Sequence, residues 1–533
     1  MRFVDTAAAC LKPGDLVSRL QSLAAKHPAR ARVEEIGRSA EGRPIHLLTV
    51  GAGSRRVLLW SQMHGDEPSA TPALLDTADY LLSDPAGSAV LDELTLLMVP
   101  MLNPDGTERG IRRNAQGIDV NRDALNLATP EGRILKAVRD RHQPILGFNL
   151  HDQDRRTTVG DSGRLATIAL LAVAGDAQGT VSEGRLRAKR VAAGVVAALE
   201  PLIGASIARY DEDWSPRAFG DNITAWGTPV VLVESGGLPA GRALSDLTRL
   251  NFVALLSVLS SLAADDAAAH DPAIYERLTR NREDAYADVV LRGGRILQGA
   301  AGVPYRADIA FNVEAPDARD WGCAGVPDSG GSRIVEIGDL RFVAAGREVD
   351  AAGKLIVPAL VASVRGLGAR WWLTPRALDD LGRLGVGQLR WHLPLRDVGQ
   401  ALAIAAERAA PGRPEIGIVG SGDAASALVL TRPPRTPRTR SLADVLDALG
   451  TWRAPGRPLA HALELLTAPP TSRTAPVRLT RDAPASLLLL GGVEGGVVDP
   501  EAARVESVFI DGREIAEPAA PPHPPPLPGG SPR

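Results

Sequence analysis

The sequence predicts an α/β fold followed by a β-rich second part. Three observations predict it. Apolar runs at 57–60, 94–101, 145–150 and 230–233 have the length and composition of buried strands. Helix-period segments at 11–26, 70–82, 185–200 and 243–262 alternate with them, and such alternation makes a sheet flanked by helices. From Tyr286 onward the pattern changes to short strands broken by Gly-rich turns. At 533 residues the chain exceeds one ordinary core. It divides into an α/β region over 1–270, a charged connector over 271–285, a β-rich α+β accessory domain over 286–515, and a Pro- and Gly-rich tail over 516–533 expected to be disordered.

Taken in order, the helix at 11–26 precedes strands at 33–36 and 45–50, joined by the turn-rich run from Arg38 to Pro44. The strand at 57–60 opens into Ser61-Gln62-Met63-His64-Gly65-Asp66-Glu67-Pro68, and a helix follows from Ala70 to Leu82. Pro68 suits the first helical position, where a missing N–H costs nothing, and it biases Glu67 toward extended backbone. The strand at 94–101 ends in Asn103-Pro104-Asp105-Gly106, a turn signal, and the polar, aperiodic stretch 112–123 reads as a loop. The last two strands end at His151-Asp152-Gln153 and at Glu234-Ser235-Gly236-Gly237.

A formal net charge of −3 gives no electrostatic case for nucleic acid or an anionic membrane. Cys10 and Cys323 form neither a metal-ligand spacing nor a disulfide framework, which points to a reducing compartment. The N-terminus lacks a basic patch followed by an apolar segment, so a cytoplasmic location is expected. No run reads as long enough to span a bilayer. Nothing in the sequence specifies an oligomeric state.

His64 and Glu67 are an imidazole and a carboxylate three residues apart in a tight turn, and can converge on one cation. Zinc accepts both, and a catalytic zinc site takes a third protein ligand and an open position. The spacing alone decides nothing, since His461 and Glu464 repeat it in a helix-like run without partners. His64, His151 and Glu234, however, each stand at the C-terminal end of a predicted strand, where open α/β sheets bind ligands. The plain structural alternatives are helix capping for Glu67 and Glu234 and a satisfied core histidine for His151.

His64-Gly65-Asp66-Glu67, the Asn103 turn, Asp119-Val120-Asn121-Arg122, His151 and Glu234 occur in the order found in zinc metallocarboxypeptidases of the carboxypeptidase A type, and residues 30–260 resemble that family. The resemblance implies a twisted mixed β-sheet flanked by helices and one zinc per chain, held by His64, Glu67 and His151. It implies Asp119 as the carboxylate orienting His64, Glu234 as general base and acid, and Asn121 and Arg122 as the clamp on a substrate's terminal carboxylate. It implies Arg113 as the cation polarising the scissile carbonyl, with Arg112 the alternative, and Tyr210 as a mobile substrate-binding tyrosine. The substrate class implied is a peptide or amino-acid amide. Asn149-Leu150-His151-Asp152-Gln153 and the run from Arg217 to Asn222 are similar to a bacterial subgroup, which sets digestive-type specificity aside. A zinc-dependent deacylase of N-acyl amino acids on the same fold and a catalytically silent binding module are the competing readings.

In the second half, Ala287 to Ile296 reads as strand, Gly turn, strand, and Val508 to Ile515 as a hairpin around Asp511-Gly512. These pieces resemble the small β-domain bracketing the barrel of cyclic amidohydrolases. That family's His-x-His pair is missing at Pro358 to Ser363, so no second metal centre is expected. Thr431 to Arg438 is a basic, Pro-rich loop.

Overall fold

The structure is a computed structural model that describes residues 11–210, 214–239, 242–296, 304–313 and 332–358, and beyond them only the strands named below. Cys10, Cys323, the Pro-rich loop, His461 and the tail lie outside the described residues. The chain divides into two units.

The first unit runs from the N-terminus to Ala287, with short later additions. Its helices are α1 (Pro13–Lys26), α2 (Ala70–Ser83), α3 (Pro85–Glu93), α4 (Pro104–Arg109), α5 (Pro130–His142), α6 (Glu183–Ile203), α7 (Phe219–Ala225), α8 (Leu244–Ala263) and α9 (Pro272–Glu276). Its strands are β1 (Ala31–Arg38), β2 (Pro44–Val50), β3 (Arg55–Trp60), β4 (Leu94–Val99), β5 (Leu146–Asp152), β6 (Thr158–Val159), β7 (Ile168–Ala172), β8 (Ile207–Arg209), β9 (Val230–Ser235) and β10 (Asn281–Arg282). Eight of them form one sheet in the order β1-β2-β4-β3-β5-β9-β7-β8. The central strands β4, β3, β5 and β9 are parallel; β1 and β2 pair antiparallel on one side, and on the other β7 meets β9 antiparallel and β8 parallel. The predicted mixed sheet flanked by helices is therefore present.

Alternation along the strands sends side chains to two cores. Val57, Leu59, Phe148, Leu150, Val231 and Val233 pack with α1, α2, α3, α6 and α8, while Leu58, Trp60, Val230 and Leu232 pack with α5 and α7. Chain order reverses at β3, which has β4 on one side and β5 on the other. Crevices at such switch points are where ligands bind.

Several local expectations change. Asn103-Pro104-Asp105-Gly106 is a helix start rather than a free turn: Asn103 caps α4 by accepting from Gly106 N at 2.9 Å, with Pro104 in the first turn. Pro68 does not open α2, which begins at Ala70 after Ser69 in the capping position. The bilayer expectation also needs correction, because α8 is long and apolar enough to cross a membrane by length and composition; it lies instead in the core of the first unit, with Leu247, Leu255 and Leu259 buried. The 271–285 stretch, expected as a connector, is built into the first unit: β10 pairs with β6, and Tyr275 on α9 is fully buried.

In the second unit, an eight-stranded sheet has the order β13-β12-β11-β15-β19-β20-β21, with β14 on β11. The strands are β11 (Tyr286–Ile296), β12 (Tyr305–Val313), β13 (Ser332–Gly338), β14 (Ala344–Asp350), β15 (Leu355–Pro358), β19 (Leu487–Gly491), β20 (Arg504–Ile510) and β21 (Arg513–Glu514). A separate parallel sheet joins β16 (Leu360–Arg365), β17 (Val386–Pro394) and β18 (Glu415–Ser421). β20 and β21 pair as the predicted hairpin. The Gly293-Gly294 turn is not a turn: β11 continues through it as a bulge, which Gly293 accommodates at φ 70°.

The Tyr275 hydroxyl accepts a hydrogen bond from the Ala172 backbone N–H at 3.1 Å, at the buried end of β7. Tyr275→Phe leaves that donor unpaired and is expected to cost about 1–3 kcal/mol. Urea denaturation of the full chain checks this; an unchanged midpoint refutes it.

Candidate metal centre

Four neighbouring parallel strands deliver the site from one edge of the sheet. The loop after β3 carries His64 and Glu67, the segment after β4 carries Arg112 and Asp119, β5 carries His151 and β9 carries Glu234. The parallel register pairs His151 with Glu234 and Asp152 with Ser235. Side chains of registered neighbours share a face, so His151 and Glu234 stand side by side on the α5 and α7 face.

The loop after β3 is held in an unusual path. Gln62 has a left-handed backbone (φ 45°), of the kind that persists where surroundings over-determine it. Its carbonyl accepts from Asn103 N at 2.9 Å, and its side chain bonds Thr71 and Thr107. The Asn103 amide also donates to the carbonyls of Met63 and Arg112, tying the two site loops to one residue. Gly65 crosses the Gly106 backbone so closely that an added Cβ would sit 2.0 Å from the Gly106 carbonyl carbon. No side chain fits there.

The resulting cluster is compact. Nδ1 of His64 lies 2.6 Å from one Glu67 oxygen, and Nδ1 of His151 lies 2.6 Å from the other. The imidazole centroids are 4.8 Å apart. Asp119 lies 3.1 Å from His64 Nε2, and its other oxygen accepts from Arg112 Nε at 3.1 Å. Arg112 also donates to Glu67 at 3.3 Å. Of the two adjacent arginines, then, Arg112 reaches the cluster; the exposed Arg113 donates to the Gly117 carbonyl at 3.2 Å.

Electrostatics follow from crowding buried charges. Burial would raise the Glu67 carboxyl, but the two imidazoles outweigh it and hold the group well below the usual carboxylate range. For His64 burial works downward, and Glu67 and Asp119 overcome it to raise the ring to about 9. His151 is pushed down by burial. Glu234 is raised well above its ordinary value, by burial first and then by the neighbouring carboxylates Glu67 and Asp152.

The donor set fits a metal ion. Once Asp119 accepts from His64 Nε2–H, a neutral His64 turns its Nδ1 lone pair onto a carboxylate oxygen, a repulsion that a cation between them removes. His151 Nε2 is buried without a hydrogen-bond partner, so Nδ1 is that ring's one engaged nitrogen. The ligand atoms of His64, Glu67 and His151 all lie within 4.8 Å of one another. Among the described residues, no other such group of His, Cys, Asp or Glu occurs.

Residues 16–132 match the family model of the zinc carboxypeptidases. That stretch of the first unit is thus similar to the zinc carboxypeptidases. The chain is 28% identical over 134 residues to a probable carboxypeptidase 2 from Trichophyton verrucosum, covering 23% of this chain and 26% of the relative. It is 27% identical over 147 residues to carboxypeptidase SOL1 from Arabidopsis thaliana, covering 24% and 30%. The match thus spans under a third of these relatives' own length. A metallo-carboxypeptidase structure from Burkholderia cenocepacia aligns over 48% of this chain and 70% of its own, at 19% identity and a TM-score of 0.40. The family implies zinc, and the three ligands lie close enough to hold it. The family match ends before His151 and Glu234, which the strand register brings to the site.

The remaining expected residues lie in or beside this edge. Asp119 caps the short helical turn Val120–Arg122. Asn121 Oδ1 accepts from Phe219 N at 2.9 Å, which leaves its amide N–H groups for another partner. Arg122 donates to the Asn121 carbonyl and makes no ion pair with a described residue. Tyr210 is half-buried against the α5 and α7 core and against Val159, Ala166, Ala169 and Ala208, and burial, then Glu234, raise its phenol.

Purified chain is expected to carry about one zinc, as a three-ligand site takes one ion. His151→Ala should remove most of it, read by elemental analysis; unchanged zinc in that variant rules out the assignment.

Proposed function

We propose that the chain is a zinc-dependent metallocarboxypeptidase that hydrolyses the C-terminal bond of peptides. The observation that carries this is the convergence of His64, Glu67 and His151 on one point with Glu234 registered beside His151. When bound, zinc supplies Lewis acidity and makes water acidic near neutral pH. His64 and His151 present Nδ1, and Asp119 fixes the His64 tautomer from behind, as partners of metal-bound imidazoles do.

Glu234 takes the proton from the attacking water at its carboxylate and passes it to the leaving amine. Its burial beside Glu67 and Asp152 makes it a stronger base than an exposed carboxylate. The Arg112 guanidinium, held by Asp119 and Glu67, is the cation available to the developing oxyanion, a role the sequence alone left between Arg112 and Arg113. Tyr210, with its phenol raised, keeps its proton as a donor to substrate.

Arg122 and Asn121 supply the clamp for a terminal carboxylate. The carboxylates that could have neutralised Arg122 within its loop are engaged elsewhere: Asp119 faces His64 and Arg112, and Asp123 accepts from the backbone of Ala128 and Thr129 and from the Thr129 hydroxyl. A planar guanidinium grips a carboxylate bidentately.

A short peptide should therefore be cleaved far faster than its C-terminal amide, since a charged hydrogen bond is worth roughly 1.5–3 kcal/mol. Arg122→Ala should abolish that preference while leaving zinc bound. Equal cleavage of acid and amide by the wild type would move the function to endopeptidase or deacylase chemistry. Separately, Glu234→Gln should keep zinc and fold while turnover falls about 10²–10⁴-fold; full activity in that variant would make Glu234 a structural residue only.

A further inference from the structure

The alternation that turns His151 and Glu234 toward the metal centre turns their next neighbours the other way. Asp152 and Ser235 are themselves registered partners, on the opposite face, where α2 and α8 pack. There they meet a small buried polar knot. Asp152 accepts from the Ser69 backbone N–H at 3.0 Å and from the Ser69 hydroxyl. Asn251 on α8 donates from Nδ2 to the Ser235 hydroxyl at 2.8 Å and to the Leu247 carbonyl of its own helix at 3.1 Å, and lies 3.5 Å from the Ser69 hydroxyl. Thr248, one turn earlier on α8, donates to the Ser69 carbonyl at 3.1 Å.

Three of the five knot residues stand within two positions of a site residue in sequence. Ser69 lies two residues after Glu67, Asp152 follows His151, and Ser235 follows Glu234. Thr248 and Asn251 are polar residues on the otherwise apolar buried stripe of α8, each 1% exposed. Apolar packing alone would serve a core helix better, since buried polar groups cost unless they are paired. Asn251 instead commits an amide N–H to Ser235, beside the base, and stands within 3.5 Å of Ser69, beside the metal ligand Glu67.

We propose that Asn251 is a positioning residue: through Ser235 and Ser69 it fixes Glu234 relative to the His64, Glu67 and His151 cluster. This rests on the peptidase reading for its assay. A rigid supporting shell is what holds catalytic groups in productive geometry.

In the full-length, zinc-loaded chain, Asn251→Ala and Ser235→Ala should each lower kcat on an acid peptide by about tenfold, the low end of what supporting partners of metal sites contribute. KM and zinc content stay at wild-type values. The double variant should lose no more than either single, because both cut one link. Ser235→Thr, which keeps the hydroxyl, should retain kcat. Unchanged kcat in the folded singles, or a double loss equal to the product of the two, overturns the proposal; should Asn251→Ala fail to fold, the Ser235→Ala and Ser235→Thr pair decides. A wild type that binds zinc and cleaves no peptide defeats the peptidase reading instead. The knot is then read from visible absorption of the cobalt-substituted site, which Asn251→Ala should shift; an unshifted spectrum refutes it.

Discussion

The register between β5 and β9 is the constraint on which the site depends. One residue of slip in a strand sends every side chain to the other face. Here it would carry His151 or Glu234 into the α2 and α8 layer and bring Asp152 or Ser235 out to the metal centre. The register is protected by both cores, since Phe148, Leu150, Val231 and Val233 fill one and Val230 and Leu232 the other. Catalytic geometry and core packing are thus specified by the same alternation. The buried surface that makes slippage costly is also what holds base and ligand in adjacent positions.

The second organising force is the concentration of carboxylates beneath the strand ends. Glu67 and Glu234 are buried and Asp152 is half-buried beside them; Glu67 raises the cost of ionising both others, and Asp152 that of Glu234. They settle differently because their partners differ. Glu67 sits between two imidazoles and is held well below the usual carboxylate range, Asp152 is raised to about 7 despite accepting from Ser69, and Glu234 is raised well above its ordinary value by burial and by Glu67 and Asp152. Pairs of titratable groups pushed apart in this way divide acid and base roles.

Much of this was legible in the sequence because strand ends are. Apolar runs terminating in His, His and Glu place the three segments from the sequence alone. Arg112 and Arg113 could not be separated, because an aperiodic loop gives no rule for which of two adjacent side chains points inward. The α5 helix was missed although Thr129 and Pro130 carry its start signals, a capping hydroxyl and a proline in the first turn. The apolar strand β7 was hidden in an Ala-rich stretch that reads equally as helix. Asn251 left a signal too, a lone amide on a hydrophobic stripe. Its meaning depends on Ser69, 182 residues away, which no local pattern reveals.

The span of that knot bears on when the site can come into being. His64 and Glu67 are close in sequence, but His151, Glu234 and Asn251 arrive much later along the chain. The left-handed backbone of Gln62 leans on Asn103 and Thr107, both past β4, so even the first loop draws on that later segment. A chain emerging from the ribosome N-terminus first therefore passes through a long interval in which both early ligands exist without a centre. Metal cannot nucleate this fold as it does a zinc finger.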